Sequence, residues 1–308
     1  MSAKKAVILA QCACLLVLTC GCHSLRARRQ TRALSDARQN SLRGTEKLQQ
    51  NKLQEAEFLF TEALRRSSAD ERAQAGMAEV LWQRGENQQA LEHMTSAVTT
   101  SGGNPDTLVR LGEMNLQLGM LDEAFKNAES AIENQRKHPG AWALRGKVLQ
   151  QRRQFEEALT SYHRALCDQP KLPDIQIALA EIYRELGRPQ RALATLDAMT
   201  DGQPGEQISP DAWMLKGMAL ADMGEVSAAQ SCLKNAAMCC RDEASDTLLA
   251  VAQRQIEIGD YAEARICLGR AGRHDPDNPQ TRHLQMLLEQ QTQNEARARL
   301  AGFEQLPP

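Results

Sequence analysis

Aromatic residues are scarce, and an excess of positive charge is absent, in this 308-residue sequence. Aromatics make up 4% of the chain, and no run of β-branched residues shows the period of two that a half-buried strand needs. The formal net charge is −2, whereas a nucleic-acid-binding domain usually has a basic footprint. Alanine, leucine, glutamate, glutamine and arginine, which are good helix formers, dominate instead. The composition therefore predicts an all-helical protein that does not bind nucleic acid.

A recognisable catalytic or metal-binding pattern is also missing. The six histidines are scattered, and no pair, His274 and His283 included, has the spacing of a metal site. The stretch at 140–147 fails as a phosphate-binding loop, because five residues separate its glycines and Val148 stands where serine or threonine is required. No serine or cysteine lies in a known nucleophile context. We therefore expect no catalytic residue, no metal and no cofactor, and predict that the protein is not an enzyme.

Residues 1–21 have the composition of a targeting segment. Lys4 and Lys5 precede an apolar run over 6–19 that is short for a membrane-spanning helix. Small residues then lead to Cys22, and the whole segment resembles a bacterial lipoprotein signal. That resemblance implies that Cys22 is diacylated and becomes the new N-terminus, firmly anchored by more than one acyl chain. The alternatives are a cleaved secretory signal and an uncleaved membrane helix.

A basic linker at 22–36 follows the anchor. Its first part contains four arginines: Arg26, Arg28, Arg29 and Arg32. The linker is either a solvated spacer or a segment that contacts anionic lipid head groups, where each arginine gains about 1 kcal/mol. His23 is not the aspartate that retains some lipoproteins in the inner membrane, so the resemblance implies sorting to the outer membrane.

One helical pattern recurs along most of the chain. Its clearest copy marks one face of each of two successive helices, first with Trp142, Gly146 and Leu149 and then with Ala158, Tyr162 and Ala165. The first alanine recurs at Ala56, Ala90, Ala124, Ala192, Ala229 and Ala264, and the second at Ala63, Ala97, Ala131, Ala236 and Ala271, with Met199 the exception. The turn between the helices has Gly85, Gly119, Gly187, Gly224 and Gly259, with Asn51 and Arg153 in the other two copies. Glycine in that place predicts the left-handed conformation that closes a helix.

This pattern resembles the tetratricopeptide repeat, a helix–turn–helix unit of roughly 34 residues. The resemblance implies a right-handed α-solenoid of about seven repeats over 37–278, followed by a capping helix and tail over 279–308. We expect Pro170 to end the fourth repeat, because the residue before a proline avoids the helical region. The polar stretch at 201–209 is expected to form a longer surface loop.

A basic residue precedes the packing glycine in three of the repeats, where leucine is usual in the family. Arg43, Arg145 and Lys216 each follow a leucine and precede a glycine. A long basic side chain can lay its stem on apolar surface and keep its charged head in water. We expect that arrangement here rather than a functional role.

The resemblance also implies a concave surface, lined by the first helices, that binds a partner peptide or helix. Two rows of residues fall on this predicted groove, one mainly apolar and the other mainly acidic. The partner-binding candidates are Ala75, Glu79, Trp82, Val109, Glu113, Lys147, Ile177, Glu181, Met214 and Met218. Packing between repeats is the alternative for Trp82. The partner segment is expected to bear apolar residues interspersed with Lys or Arg.

These patterns lead to one functional prediction and two alternatives. The prediction is a non-catalytic interaction scaffold, anchored by lipid in the bacterial cell envelope and facing the periplasm, that serves assembly or secretion. The alternatives are a structural self-assembling envelope protein and a regulatory subunit associated with an enzyme.

Five cysteines follow Cys22, namely Cys167, Cys232, Cys239, Cys240 and Cys267. We expect them to be small buried apolar residues, and Cys232 and Cys267, in equivalent places of adjacent repeats, to lie too far apart to pair.

Overall fold

The computed structural model describes residues 31–169, 171–200, 208–241 and 244–303, and in these ranges it contains helices and turns but no strand. The helices are α1 (31–49), α2 (Leu53–Arg66), α3 (Glu71–Gln83), α4 (Asn87–Thr100), α5 (Pro105–Gln117), α6 (Leu121–Asn134), α7 (Pro139–Gln151), α8 (Phe155–Asp168), α9 (Pro173–Glu185), α10 (Pro189–Thr200), α11 (Pro210–Asp222), α12 (Val226–Cys239), α13 (Ser245–Glu257), α14 (Tyr261–His274) and α15 (Pro279–Phe303). This all-helical architecture of repeated helix pairs confirms the predicted fold class.

The chain forms two compact units, Met1–Val148 and Leu149–Pro308, and the division between them falls within α7. The pairs α1/α2, α3/α4 and α5/α6 belong to unit 1. The pairs α9/α10, α11/α12 and α13/α14 belong to unit 2, together with α8 and α15.

Local sequence sets where the helices begin. Several first helices start at a proline, whose fixed φ suits the first helical position and whose missing N–H would have no partner there. Side chains supply caps at other starts: Asp70 accepts from the backbone N–H of Ala73 at 2.9 Å, and Ser209 accepts from that of Ala212 at 3.3 Å. Such caps satisfy donors that the helix itself leaves unpaired.

The turns within the helix pairs adopt the left-handed conformation that the sequence predicts. The five turn glycines have φ between 67° and 82°, and Asn51 and Arg153 have φ of 58° and 59°. An added Cβ would meet nothing within 4 Å at any of these glycines. Backbone conformation, and not lack of space, therefore explains why glycine is preferred there.

Alanine fills the seam between paired helices. Every alanine of the two recurring sets is fully buried, while Met199, the exception, is partly buried. In unit 1 the buried ring of Phe60 lies against two glycines, since a Cβ added at Gly44 or Gly76 would overlap it. Small residues thus let the helices approach closely, as dense packing requires.

Two of the three basic residues before the packing glycines, Arg145 and Lys216, lie over aromatic rings, and the third, Arg43, is exposed. The Arg145 guanidinium lies 5.4 Å from the Phe125 ring centroid and 5.9 Å from that of Trp142, and its Nε donates to Glu129 at 2.5 Å. Lys216 repeats the arrangement, with Nζ 5.7 Å from the Trp213 ring centroid and an ion pair to a carboxylate of α10. The charged heads of Arg145 and Lys216 thus lie over aromatic rings and pair with carboxylates, whereas the sequence prediction placed them in water.

The last helix, α15, packs onto the end of unit 2. Leu284 and Leu288 are buried in a cluster with Leu249, Leu268 and other residues of α13 and α14. Met286, between them in sequence, is 62% exposed. This arrangement of one apolar and one exposed face agrees with the expected capping helix.

Several predicted features fall at or beyond the limits of the described residues. The leader, Cys22, Pro170 and the loop stretch 201–207 lie outside them. Residues 31–36, which the sequence placed in the linker, already belong to α1. No helix in the described ranges has the length and apolar character needed to cross a membrane.

Candidate functional site

The first helices of unit 1 present the predicted rows side by side. Ala75 and Glu79 lie one turn apart on α3, and Val109 and Glu113 lie one turn apart on α5. All four side chains are partly buried. Residues four apart share a helix face, so each acidic residue adjoins an apolar one. Lys147, the member of the acidic row on α7, is also partly buried.

The acidic row of unit 1 is partly neutralised by Arg110. Arg110 donates from Nε and Nη2 to the two Glu79 carboxylate oxygens, at 2.5 and 2.8 Å, and from Nη1 to Glu113 at 3.4 Å. The hydrogen bond with Glu79 raises the pKa of Arg110. Two parallel bonds from one guanidinium give a well-defined pair. The three side chains together have one negative charge, so this surface attracts a basic partner less than its glutamates alone suggest.

Trp82 lies between two clusters of unit 1. Its partly buried ring packs against the cluster that contains Phe60 and against the cluster that contains Met94 and Leu111. Trp82 therefore contributes to packing between successive helix pairs, which was the alternative to its role as a binding residue.

In unit 2 the predicted residues have different surroundings. Ile177 is partly buried, and the exposed Glu181 accepts a hydrogen bond from Gln150 Nε2 at 3.1 Å. Met214 packs against the buried cluster of α13 and α14. Met218, one turn further along α11, lines a cavity.

This cavity, which we call the α11 cavity, has a volume of about 410 Å³. It is bounded by the first helices α9, α11 and α13 and by α12. Its lining consists of Met218, Ala221, Val226, Leu233 and Ile258, which are apolar, and of Arg184, Asp222, Arg254 and Glu257, which are charged. A volume of a few hundred Å³ with apolar walls and a few polar groups is typical of ligand pockets. It is large enough for a bulky apolar side chain.

The charged residues of the α11 cavity form two ion pairs. Arg184 Nε donates to Asp222 Oδ2 at 2.8 Å, and Arg254 Nη1 donates to the Glu257 carboxylate at 2.7 and 3.0 Å. All four side chains retain between 22% and 47% of their surface in water. Ion pairs with that exposure are worth about 0–1 kcal/mol each. A partner with its own charged groups can therefore exchange with these pairs at little cost.

Sequence reasoning found Met218 but missed the rest of the α11 cavity. A usable signal existed, because Arg184 and Ala221 stand in the same repeat register as Trp82, one turn beyond the acidic row. Following that register through every repeat points to both residues. Val226 and Ile258 belong to the turn regions, which the groove prediction did not include.

The described ranges hold no cluster of three or more metal-binding side chains. Three of the histidines make structural contacts: His93 Nδ1 lies 2.6 Å from Gln74 Oε1, His138 Nδ1 accepts from the backbone N–H of Ala141 at 3.1 Å, and His163 Nε2 lies 3.0 Å from the Tyr183 hydroxyl. Burial lowers the pKa of His93. Cys232, Cys240 and Cys267 are buried, as the sequence predicts, whereas Cys167 is exposed and Cys239 is only partly buried.

Comparison with known families identifies the repeats. Two family models, both described as tetratricopeptide repeat, match residues 42–106 and 149–218. None of the curated proteins matches the sequence.

Solved structures share the fold at low sequence identity. A tetratricopeptide repeat protein from Parabacteroides merdae has a TM-score of 0.65 at 14% identity, covering 83% of this chain and 99% of its own. PilF of Pseudomonas aeruginosa has a TM-score of 0.59 at 14% identity, covering 82% of this chain and 98% of its own. PilW, described as a widely conserved type IV pilus biogenesis factor, has a TM-score of 0.59 at 18% identity and covers 64% of this chain and 90% of its own. At these identities the likeness establishes the fold.

Proposed function

Because the chain contains tetratricopeptide repeats, which are protein-interaction modules, we propose that it is a non-catalytic scaffold that holds a partner protein at a bacterial membrane. In this proposal the lipid is attached at Cys22, the repeats face the periplasm, and the first helices bind a segment of the partner. Fold alone does not fix a function, so the proposal depends on the chemistry of the surface.

The α11 cavity is the observation that supports this function best. Met218, Ala221 and Ile258 give it an apolar lining, and exposed ion pairs surround that lining. An apolar anchor in a pocket with a polar rim is the usual arrangement of a binding hot spot. A partner segment that inserts one large apolar side chain would bury it at about 25 cal/mol per Å².

Partner capture with matched variants tests the cavity. Met218→Glu replaces an apolar side chain of the lining by a carboxylate and should strongly weaken capture of the partner, because burying a charge beneath a bound apolar group is costly even where an arginine can pair with it. Met238→Glu is the control, since Met238 is 72% exposed on α12 and does not line the cavity. A photo-crosslinking residue at position 218 should capture a partner that the same residue at 238 does not. Equal capture by both variants would contradict the proposed site.

The same crosslinking experiment addresses the alternative of self-assembly. If the protein captured at position 218 is a second copy of this chain, the surface serves self-association rather than partner recruitment.

The membrane anchor has a separate test: labelling cells with a fatty-acid analogue should mark the wild type and leave Cys22→Ser unmarked. Equal labelling of the two would show that Cys22 is not the acylated residue.

Relatives supply one further lead for the process that the scaffold serves. PilW is described as a type IV pilus biogenesis factor, and assembly or secretion at the envelope is therefore the process that we propose for this chain.

A further inference from the structure

The outer face of α1 combines exposed leucines with exposed arginines. Leu34 and Leu42 are 46% and 50% exposed, and Arg38, midway between them, is also exposed. Residues four and eight apart lie along one side of a helix, so these three side chains form a continuous stripe. Ala37, Ser41 and Gly44 are buried and form the neighbouring side of α1, which packs against the rest of unit 1.

Positive charge dominates this face. Arg32, Arg38 and Arg43 are exposed, whereas Asp36 is engaged by Arg66, whose Nη1 lies 2.7 Å from Asp36 Oδ2. Glu46 is the one exposed acidic residue on α1 between 31 and 49. Three arginines against one glutamate leave the face with a net charge of +2.

A recess adjoins the stripe. A cavity of about 490 Å³ is lined by Leu34, Arg38 and Ser41 of α1 and, among other residues, by the acidic Asp70 and Glu71 and the basic Arg72. Asp70 is committed to the cap of α3, where it accepts from the Ala73 N–H. The recess gives a bulky polar group space beside Arg38.

We propose that the outer face of α1, defined by Arg32, Leu34, Arg38, Leu42 and Arg43, docks on an anionic phospholipid surface. Helices that lie in a membrane interface combine apolar residues with Lys or Arg in this way. The leucines enter the head-group region, and the arginines contact lipid phosphates. Arg26, Arg28 and Arg29, which precede α1 in the sequence, add positive charge close to it along the chain.

The length of the preceding chain supports this choice of occupant. This step rests on the proposed acylation of Cys22. Nine residue steps separate Cys22 from Thr31, and at about 3.3–3.6 Å per residue they span at most about 32 Å. An acyl chain on Cys22 therefore keeps α1 close to the membrane, which raises the effective concentration of the lipid surface near its outer face.

Tryptophan quenching in vesicles tests the docking. Full-length Leu42→Trp, reconstituted with its native anchor in vesicles of brominated phosphatidylglycerol and phosphatidylcholine, should show quenching beyond that of the wild type. Met286→Trp is the control, because Met286 is also well exposed but lies on α15. Equal quenching at positions 42 and 286 would overturn the proposal.

Charge-matched variants separate the α1 face from general electrostatic attraction. Each arginine near an anionic surface strengthens binding about fivefold, so replacing Arg32, Arg38 and Arg43 by Gln should weaken docking roughly a hundredfold and remove the quenching at position 42. Replacing Arg164, Arg265 and Arg273, which are exposed on other helices, by Gln changes the net charge by the same amount. This second replacement should preserve the quenching at position 42. Quenching that survives the first replacement, or is lost with the second, would contradict docking through α1.

The result is separable from the proposed function. If Cys22 is acylated and position 218 captures a partner, but position 42 is not quenched, the docking proposal fails and the scaffold proposal stands. The Leu42→Trp variant can also be studied without lipid, with a quencher dissolved in the water. If the introduced indole becomes less accessible to that quencher as the protein concentration rises, a second copy of the chain covers the face. That result also overturns the proposal.

Discussion

At the scale of single residues, Arg153 occupies a backbone conformation that costs free energy. Its φ is 59°, in the left-handed region that disfavours a residue with a Cβ. Arg153→Gly should raise the free energy of unfolding by about 1 kcal/mol in urea denaturation. Asn51→Gly is the matched variant and should give a smaller gain, because asparagine tolerates this conformation. A loss of stability in Arg153→Gly would mean that its ring contact with Phe155 and its distant ion pair with Glu185 outweigh the backbone strain.

Gln255 is a second residue that works against stability. Its side chain is fully buried on α13, and neither amide atom has a nitrogen or oxygen partner among the described residues. The amide makes only a weak hydrogen bond with the Cys267 thiol, because sulfur is a poor acceptor. Replacing Gln255 by Met, of similar size, should therefore raise the free energy of unfolding by about 1–2 kcal/mol.

Gln253 provides the control for that change. It lies two residues earlier on α13, and its Nε2 donates to Glu257 at 3.3 Å on the exposed side. Gln253→Met should change stability by less than about 0.5 kcal/mol. If both variants behave alike in chemical denaturation, the buried amide is not the destabilising group.

At the scale of elements, α15 stabilises unit 2 through its apolar side. Leu284 and Leu288 are buried against α13 and α14, and a Leu→Ala change in such a core costs about 2–5 kcal/mol. Leu284→Ala combined with Leu288→Ala should therefore lower the melting temperature and promote association. Met286→Ala, on the exposed side of α15, should leave the melting temperature nearly unchanged. A double variant as stable as the wild type in calorimetry would exclude α15 as a packed cap.

The helices and their turns were predictable from sequence because each depends on local chemistry. Gly85 and its equivalents need a left-handed backbone, and the recurring alanines are buried where paired helices approach closely. The pair between Glu79 and Arg110 was not predictable. It joins residues 31 positions apart on two different helices, so it depends on the geometry between repeats and on side-chain rotamers, which no local pattern specifies.

The candidate site likewise has one part that the sequence predicts and another that it does not. Met218 was found because its register on α11 follows from the repeat. The α11 cavity itself arises where side chains of four helices fail to fill the space between them. Such a void depends on the volumes of residues that are distant in sequence, among them Leu233 and Ile258. Sequence periodicity locates a face, and packing decides whether that face contains a pocket.

At the scale of the whole molecule, buried acidic groups make the fold sensitive to alkali. Burial raises the pKa of Cys232 and Cys240, raises that of Cys267 from 9.0 to about 11, and raises the pKa of Tyr162 above its usual value. A thiol whose pKa is raised by folding releases its proton more readily in the unfolded chain. Its contribution to stability is therefore complete below about pH 9 and is lost as the pH rises toward 11.

The corresponding prediction concerns the slope of stability with pH. Between about pH 8 and 10.5 the Cys267 thiol alone should account for a loss of about 2 kcal/mol. Cys267→Ala should reduce the alkaline decrease in melting temperature, even if it lowers the melting temperature at about pH 8. Cys167→Ala, at an exposed position, should retain the slope of the wild type. An unchanged slope in Cys267→Ala would show that this thiol does not control the alkaline transition.

The hydrogen bonds made by Arg270 give α12 a dependence on the order of protein synthesis. Arg270 of α14 donates to the carbonyl oxygens of Ala237 and Cys240, at 2.7 and 2.9 Å, at the end of α12. Because α12 ends there, no residue further along that helix donates a hydrogen bond to these carbonyl oxygens. The ribosome, adding about 5–20 residues per second, produces residue 270 roughly 2–6 seconds after residue 240. Throughout that interval the last turn of α12 lacks these two hydrogen bonds, so we expect this repeat to be complete only after translation of the next one.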